Sequence, residues 1–185
     1  MTSQMLPPKF RERGIELLDA CESLSQFPDV FLVSALLSDF TPQEADLLGE
    51  NMLRVRAQAG QVLIEEGEIS NWMMLLLRGT VDISKRKIGS GSDADEPNST
   101  TRLAVLKAGA VIGEMSMLDG EPRYASCSAL SQVEAAVLTR DQVGHLIQAH
   151  PGVGAKLLVK LTQVLAQRLR NTSNQLIKVL RQRGA

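Results

Sequence analysis

Hydrophobic and polar positions change their spacing twice along the chain, and the two changes divide it into three stretches. In the first, Ile15, Leu18, Cys21 and Leu24 recur at every third position and predict an amphipathic helix from about Lys9 to Ser25. A second helical stretch is predicted from Val30 to Leu37. Thr41-Pro42-Gln43-Glu44 then has the form of a capping box. Thr41 can cap, Pro42 can occupy the first helical position, and the Glu44 side chain can reach back to the cap amide. A short helix through Leu47 and Leu48 should follow.

From Leu53 to about Leu138 the texture is short apolar runs broken by glycines at positions 60, 67, 79, 89, 91, 109, 113 and 120. Val81-Asp82-Ile83 and Leu103-Ala104-Val105 alternate as half-buried strands do, whereas Val62 to Ile64, Met73 to Leu77 and Val133 to Leu138 read as strands buried on both faces. Roughly eight short strands separated by turn residues suggest a small barrel or jelly roll. Between Arg86 and Thr101 no apolar period is visible, which predicts a mobile loop joining two strands.

Helical spacing returns at Asp141 to Ala149, stops at Pro151-Gly152 and resumes from about Gly154 to Arg183. There Leu158, Leu161, Leu165, Leu169, Thr172, Leu176 and Val179 form a heptad-like seam with a stutter between Leu165 and Leu169. The seam can pack on its own domain or pair with a second copy. The fold class expected is therefore α+β: a small barrel or jelly roll of about eight strands, preceded by helices and followed by a long one.

Composition narrows the function classes. The 185 residues are 44% hydrophobic and 22% charged, ordinary for a folded soluble protein, and only six are aromatic, too few for a surface that stacks single-stranded nucleic acid. The net charge of −1 hides an asymmetry, because the stretch from Pro151 holds seven Lys and Arg with no Asp or Glu. That basic tail either marks a partner surface or complements the negative end of its own helix. Cys21 and Cys127 are too few for a disulfide framework or zinc site, and neither a signal peptide nor a membrane-spanning run is apparent, so a cytoplasmic protein is expected.

No catalytic constellation stands out. His145 and His150 lie near a helix end without metal-ligand spacing, and neither a Walker-type loop nor a dinucleotide fingerprint is present. The informative stretch runs from Val111 to Ser126, where a strand ends at Gly113, a helical turn covers Glu114 to Leu118, and Pro122-Arg123 opens the next strand. Amides at the start of a helical turn and an arginine fork together hold an anion. Glu114 accepts hydrogen bonds only, so beside a phosphate it needs a hydroxyl donor such as that of a ribose. These residues describe a sugar-phosphate site, with a Glu114–Arg123 salt bridge closing the turn as an equally weighted alternative.

Gly113-Glu114, Leu118 and Pro122-Arg123-Tyr124-Ala125 resemble the phosphate-binding cassette of cyclic-nucleotide-binding domains, the sensor domains of catabolite activator proteins and of cyclic-AMP-dependent protein kinase regulatory subunits. Gly60-Gln61, Leu63-Ile64, Gly67-Glu68 and the run from Leu76 through Arg78-Gly79 to Ile83 are similar to the family's glycine-punctuated early strands. The resemblance implies an antiparallel β-roll over residues 39–150, after an N-terminal helical extension over 1–38 and before a long C-terminal helix over 151–185, in which Glu114 binds the ribose 2′-OH and Arg123 the cyclic phosphate, with Gly113, Met115, Ser116, Tyr124 and Ala125 lining the cradle. Arg168 to Ser173 is similar to the helix segment that meets the purine and forms the dimer seam in that family, which makes Thr172 and Ser173 candidate base contacts or a polar interruption of the seam.

Two departures bear on function. Tyr124 stands where the family usually has a small residue, and no helix-turn-helix segment follows the long helix before Ala185. The expectation is a stand-alone, non-catalytic regulatory module that binds cyclic AMP or cyclic GMP, without metal or further cofactor, as a homodimer through the long helix. Two alternatives use the same fold: a ligand-free protein-interaction module with its pocket filled by Tyr124, and a sensor whose basic helix touches nucleic acid or an anionic membrane.

Overall fold

A computed structural model of the chain describes residues 7–21, 23–87 and 100–183. Most of the loop predicted between Arg86 and Thr101 lies outside the described residues. From Leu53 onward the predicted strands appear as β2 (Leu53–Ala57), β3 (Val62–Ile64), β4 (Trp72–Arg78), β5 (Thr80–Arg86), β6 (Thr100–Lys107), β7 (Val111–Ile112), β8 (Ser126–Ala129) and β9 (Val133–Thr139). They form two antiparallel sheets, one in the order β2-β9-β4-β7 and the other β3-β8-β5-β6.

The first sheet gains a strand where a helix was expected. Only α1 (Pro8–Glu12) is helical at the start, and β1 (Glu16–Ala20) pairs with β2 in the register Glu16↔Arg56 and Ala20↔Leu53. Gly14, at φ +68°, turns the chain out of the helix after Arg13, a conformation glycine adopts without steric penalty. Pairing along the free edge of β2 then outweighs the threefold apolar spacing, and Leu17 is left exposed. The second predicted stretch is shorter than expected: α2 (Pro28–Val33) ends at Ser34, whose backbone is extended, and Leu36 and Leu37 reach the core from turns. The capping box is formed as expected at α3 (Pro42–Gly49), with Glu44 N donating to Thr41 Oγ1 and Thr41 N donating to Glu44 Oε2.

β4 explains why its run is apolar at every position. Met73, Leu75 and Leu77 face the helices, together with Ala136 and Leu138 of β9, while Trp72, Met74 and Leu76 face the interior of the roll with Ala135 and Val137. A strand covered on both faces has no solvent side to make polar.

After the roll, α5 (Arg140–Ala149) starts in a second capping box, Thr139 with Gln142, and α6 (Pro151–Arg183) follows a one-residue break at His150. Gly154 lets the two helices touch, since a Cβ there would lie 2.6 Å from Ile147 Cγ1. Val153, Leu157 and Leu161 bury the first turns of α6 against the core. Leu157 thus takes the inward place expected of Leu158, which is 37% exposed. Lys156 pairs with Glu44, and the buried Lys160 with Asp39 and Ser38, fixing this end of α6 to the N-terminal helices. At 33 residues α6 is about 50 Å long and outreaches the roll, so Leu169, Leu176, Ile177, Val179 and Leu180 are exposed. No helix among the described residues is long and apolar enough to cross a membrane.

Candidate functional site

The site is built where β7 ends. β7 is held by β4 (Met74↔Ile112), and Gly113, at φ +82°, turns the chain directly into α4 (Glu114–Asp119). That turn buries Glu114 to 1% exposure. The far end of α4 is fixed by Arg140, whose Nε donates to Met117 O at 2.6 Å and whose Nη2 donates to Ser116 O.

The chain then returns through Arg123, whose amide donates to Glu68 O and whose carbonyl accepts from Gly67 N, both at 2.8 Å. Its guanidinium is 3% exposed and rests 4.3 Å from the centroid of the Trp72 ring. Nε donates to Ser70 Oγ, Nη1 to Gly113 O and Nη2 to Trp72 O, each at 2.6 Å. All three acceptors are neutral. Among the described residues no carboxylate lies within 4.0 Å of this guanidinium, so the salt bridge to Glu114 weighed from the sequence is not formed. Burial draws the Arg123 pKa down to about 10, with Glu68 and Glu114 opposing it, and the group is charged at neutral pH. Three hydrogen bonds leave two of the five N–H donors for a ligand.

Glu114 instead meets Arg168 of α6, whose guanidinium bonds both the Glu114 carboxylate and the Val111 carbonyl. These groups border a cavity of about 390 Å³. Small-molecule sites run to about 300–1,000 Å³. Gly113, Glu114, Met115, Ser116, Arg123, Tyr124, Ala125 and Thr172 all line it, while Ser173 lies off it on another face of α6. Apolar walls come from Ile64, Ile83, Leu103, Leu106, Ile112 and Cys127. Burial pushes the Cys127 thiol up to about 12, so it is neutral. Tyr124 does not fill the space: it is 61% exposed at the rim, with Lys85 Nζ 3.8 Å from its ring centroid and bonded to its carbonyl at 2.7 Å.

Arg168 and Asn171, which belong to the segment likened to the purine-meeting helix without being named as contacts, and Gln175, which lies outside that segment, also line the cavity. With Thr172 they occupy positions i, i+3, i+4 and i+7 of one helix face, a spacing that follows once Thr172 is placed. Asn171 Oδ1 accepts from Gln167 Nε2 at 2.9 Å, which leaves its amide N–H groups as the free end. Among the described residues no cluster of three His, Cys, Asp or Glu side chains could hold a metal, and His145 and His150 are exposed on and after α5.

The family profile described as cyclic nucleotide-binding domain matches residues 54–150. The chain belongs to this family. It is 30% identical to the crystal structure of a cyclic nucleotide-binding domain from Methylobacillus flagellatus, with a TM-score of 0.75 over 91% of this chain and 90% of that one. The catabolite activator protein of Thermus thermophilus superposes with a TM-score of 0.68 at 27% identity, covering 79% of this chain and 63% of that chain. A CRP-like cAMP-activated global transcriptional regulator of Mycobacterium tuberculosis is 25% identical over 152 residues, which are 82% of this chain and 62% of the regulator. The chain thus spans about six tenths of the length of that curated relative.

Proposed function

We propose that this domain is a regulatory module that binds a cyclic purine mononucleotide in the cavity, cyclic AMP in preference to cyclic GMP, and performs no catalysis itself. The observation that carries this reading is Arg123: a guanidinium enclosed in the wall, held by three neutral acceptors, without a carboxylate partner, and bordering the cavity. A buried charge left unpaired is costly, and an anionic ligand offsets that cost. Glu114 is the acceptor for the ribose hydroxyl, and binding divides it between that hydroxyl and Arg168. The apolar walls and Asn171, Thr172 and Gln175 take the base. The preference for cyclic AMP follows the curated relative, which is cAMP-activated.

Among the described residues, Lys156, Lys160 and Arg168 are paired with carboxylates within the chain, Lys156 with Glu44, Lys160 with Asp39 and Arg168 with Glu114, which weakens the nucleic-acid alternative. The exposed leucines of α6 favour a homodimer, with the roll at 39–150 as sensor and 151–185 as dimerisation helix, acting in the cytoplasm. Calorimetric titration of nucleotide-stripped protein tests the reading. Cyclic AMP is expected to bind with one site per chain and Arg123→Ala to abolish the heat. Absence of heat and of any thermal shift at millimolar nucleotide overturns it.

A further inference from the structure

The N-terminal residues approach Arg123 from behind by two routes. Along the first, the fully buried Phe10 ring meets the Trp72 indole edge-on at 4.6 Å and an interplanar angle of 67°, and the same indole carries the Arg123 guanidinium at 4.3 Å. Trp72 O also accepts from Arg123 Nη2. Along the second, Arg13 Nη2 donates to Glu68 Oε2 at 2.8 Å and Nη1 to Leu63 O at 3.2 Å, with Lys9 Nζ 3.7 Å from Glu68 Oε1. Glu68 is itself paired with Arg123 through the backbone. The segment is fixed in turn by Gln61 Nε2, which donates to the carbonyls of Arg13 and Gly14 at 3.0 and 3.1 Å.

The charges in this arrangement compete. Glu68 has a side chain 5% exposed and is the carboxylate that acts most strongly on the Arg123 charge, yet its oxygens are directed at Arg13 and Lys9. A buried carboxylate deprived of those cations turns toward another, because an unpaired buried charge is unfavourable. Arg123 is a cation on which Glu68 already acts, and a guanidinium neutralised by Glu68 has little attraction left for a phosphate.

We infer that residues 8–15 form a strap that positions the anion-binding arginine, with Arg13 holding the Glu68 carboxylate away from Arg123 and Phe10 bracing the indole on which the guanidinium rests. This role rests on the nucleotide-binding reading above. Arg13 and Phe10 are positioning residues, since neither lines the cavity.

The distinguishing experiment is a charge-removal cycle, read by cyclic AMP titration and by the emission of Trp72, the single tryptophan of the chain. Arg13→Gln, which leaves Glu68 only the longer contact with Lys9 at 3.7 Å, is expected to weaken cyclic AMP binding by on the order of tenfold, in the range of coupling between contacting charged residues. It also shifts Trp72 emission in the absence of nucleotide, as Glu68 moves onto the guanidinium above the indole. Glu68→Gln alone is expected to stay within about threefold of the unmodified protein. The double variant Arg13→Gln, Glu68→Gln recovers both affinity and emission, because position 68 no longer carries a charge that can move onto the guanidinium. If Arg13 served only to hold the N-terminus in place, the double variant would bind as weakly as Arg13→Gln or more weakly. Arg13→Lys, which keeps the charge, retains affinity and guards against misreading a folding defect. Wild-type binding that Arg13→Gln leaves within about twofold overturns the strap alone. Failure of the unmodified protein to bind any cyclic nucleotide overturns the functional reading and this role with it.

Discussion

Gly113→Ala places the smallest side chain at the tightest point of the site. The added Cβ would stand 2.2 Å from Arg123 Nη1 and 3.0 Å from its Cζ. A long side chain can often swing clear, but this guanidinium is tied by three hydrogen bonds and rests on an indole. Reaching ordinary contact at about 3.5 Å moves it by about 1 Å and breaks its bond to Gly113 O. A hydrogen bond from a charged donor is worth about 1.5–3 kcal/mol. The φ of +82° adds about 1–2 kcal/mol for any residue with a Cβ. The sum is roughly 3–5 kcal/mol, which for a chain of this size lowers Tm by roughly 5–20 °C. Gly60→Ala is the control, because Gly60 has φ +87° but nothing within 4 Å of an added Cβ, so it carries the backbone cost alone. Differential scanning calorimetry of both variants, with cyclic AMP titrations alongside, separates the contributions. Gly113→Ala is expected to melt below Gly60→Ala and to lose at least about tenfold in affinity, since binding groups tolerate only about 0.5 Å of misplacement. Equal melting temperatures, or an affinity unchanged from the wild type, would refute the reasoning.

Other expectations follow from the same geometry. Burial raises the thiols of Cys21 and Cys127 to about 11 and about 12, so the folded state holds protons that the unfolded state releases from pH 9 upward. Their contribution to stability is complete below pH 9 and is lost as pH rises toward those values; urea midpoints at pH 8, 9 and 10 should fall less steeply in a Cys21→Ala, Cys127→Ala variant. Because the free end of Asn171 is a donor and Gln175 faces the same cavity, Asn171→Leu or Gln175→Leu should change the ratio of cyclic AMP to cyclic GMP affinity, whereas Ser173→Ala should leave it unchanged in competition titrations. Leu176→Asp, on the exposed half of α6, should give a monomer by light scattering with the roll still folded by circular dichroism; a wild type that is already monomeric at micromolar concentration with and without nucleotide would refute the dimer.

What could be read of the fold before seeing it was whatever short-range chemistry determines. The capping box at Thr41 involves four consecutive residues and forms as expected, and β4 announced burial on both faces by having no polar position between Trp72 and Leu77. β1 was misread because its three-residue apolar period is real, but its structure is decided by an open edge at β2 some forty residues away. Gly14 was the local sign that the helix must end there. The same limit appears in α6, where the apolar period continues past the roll and cannot by itself say whether Leu157 or Leu158 turns inward. The contact of Gly154 with Ile147, which sets that rotation, is a tertiary fact.

For the site, the residues of the cassette are legible because Gly113 to Ala125 form one short stretch whose pattern resembles that of the family. Their electrostatic state is not. The nine-residue spacing leaves a Glu114–Arg123 salt bridge and a sugar-phosphate site equally open, and each residue takes its environment from beyond the cassette. Glu114 is met by Arg168 from 54 positions away, and Glu68, the carboxylate that acts most on Arg123, is held by Arg13 from 55 positions away. Glu114 and Glu68 are therefore each paired across the fold, and among the described residues the buried Arg123 has no carboxylate partner and borders the cavity. A short-range reading leaves a salt bridge open at this turn, whereas the folded chain separates the two charges and gives Arg123 three neutral acceptors in place of a carboxylate.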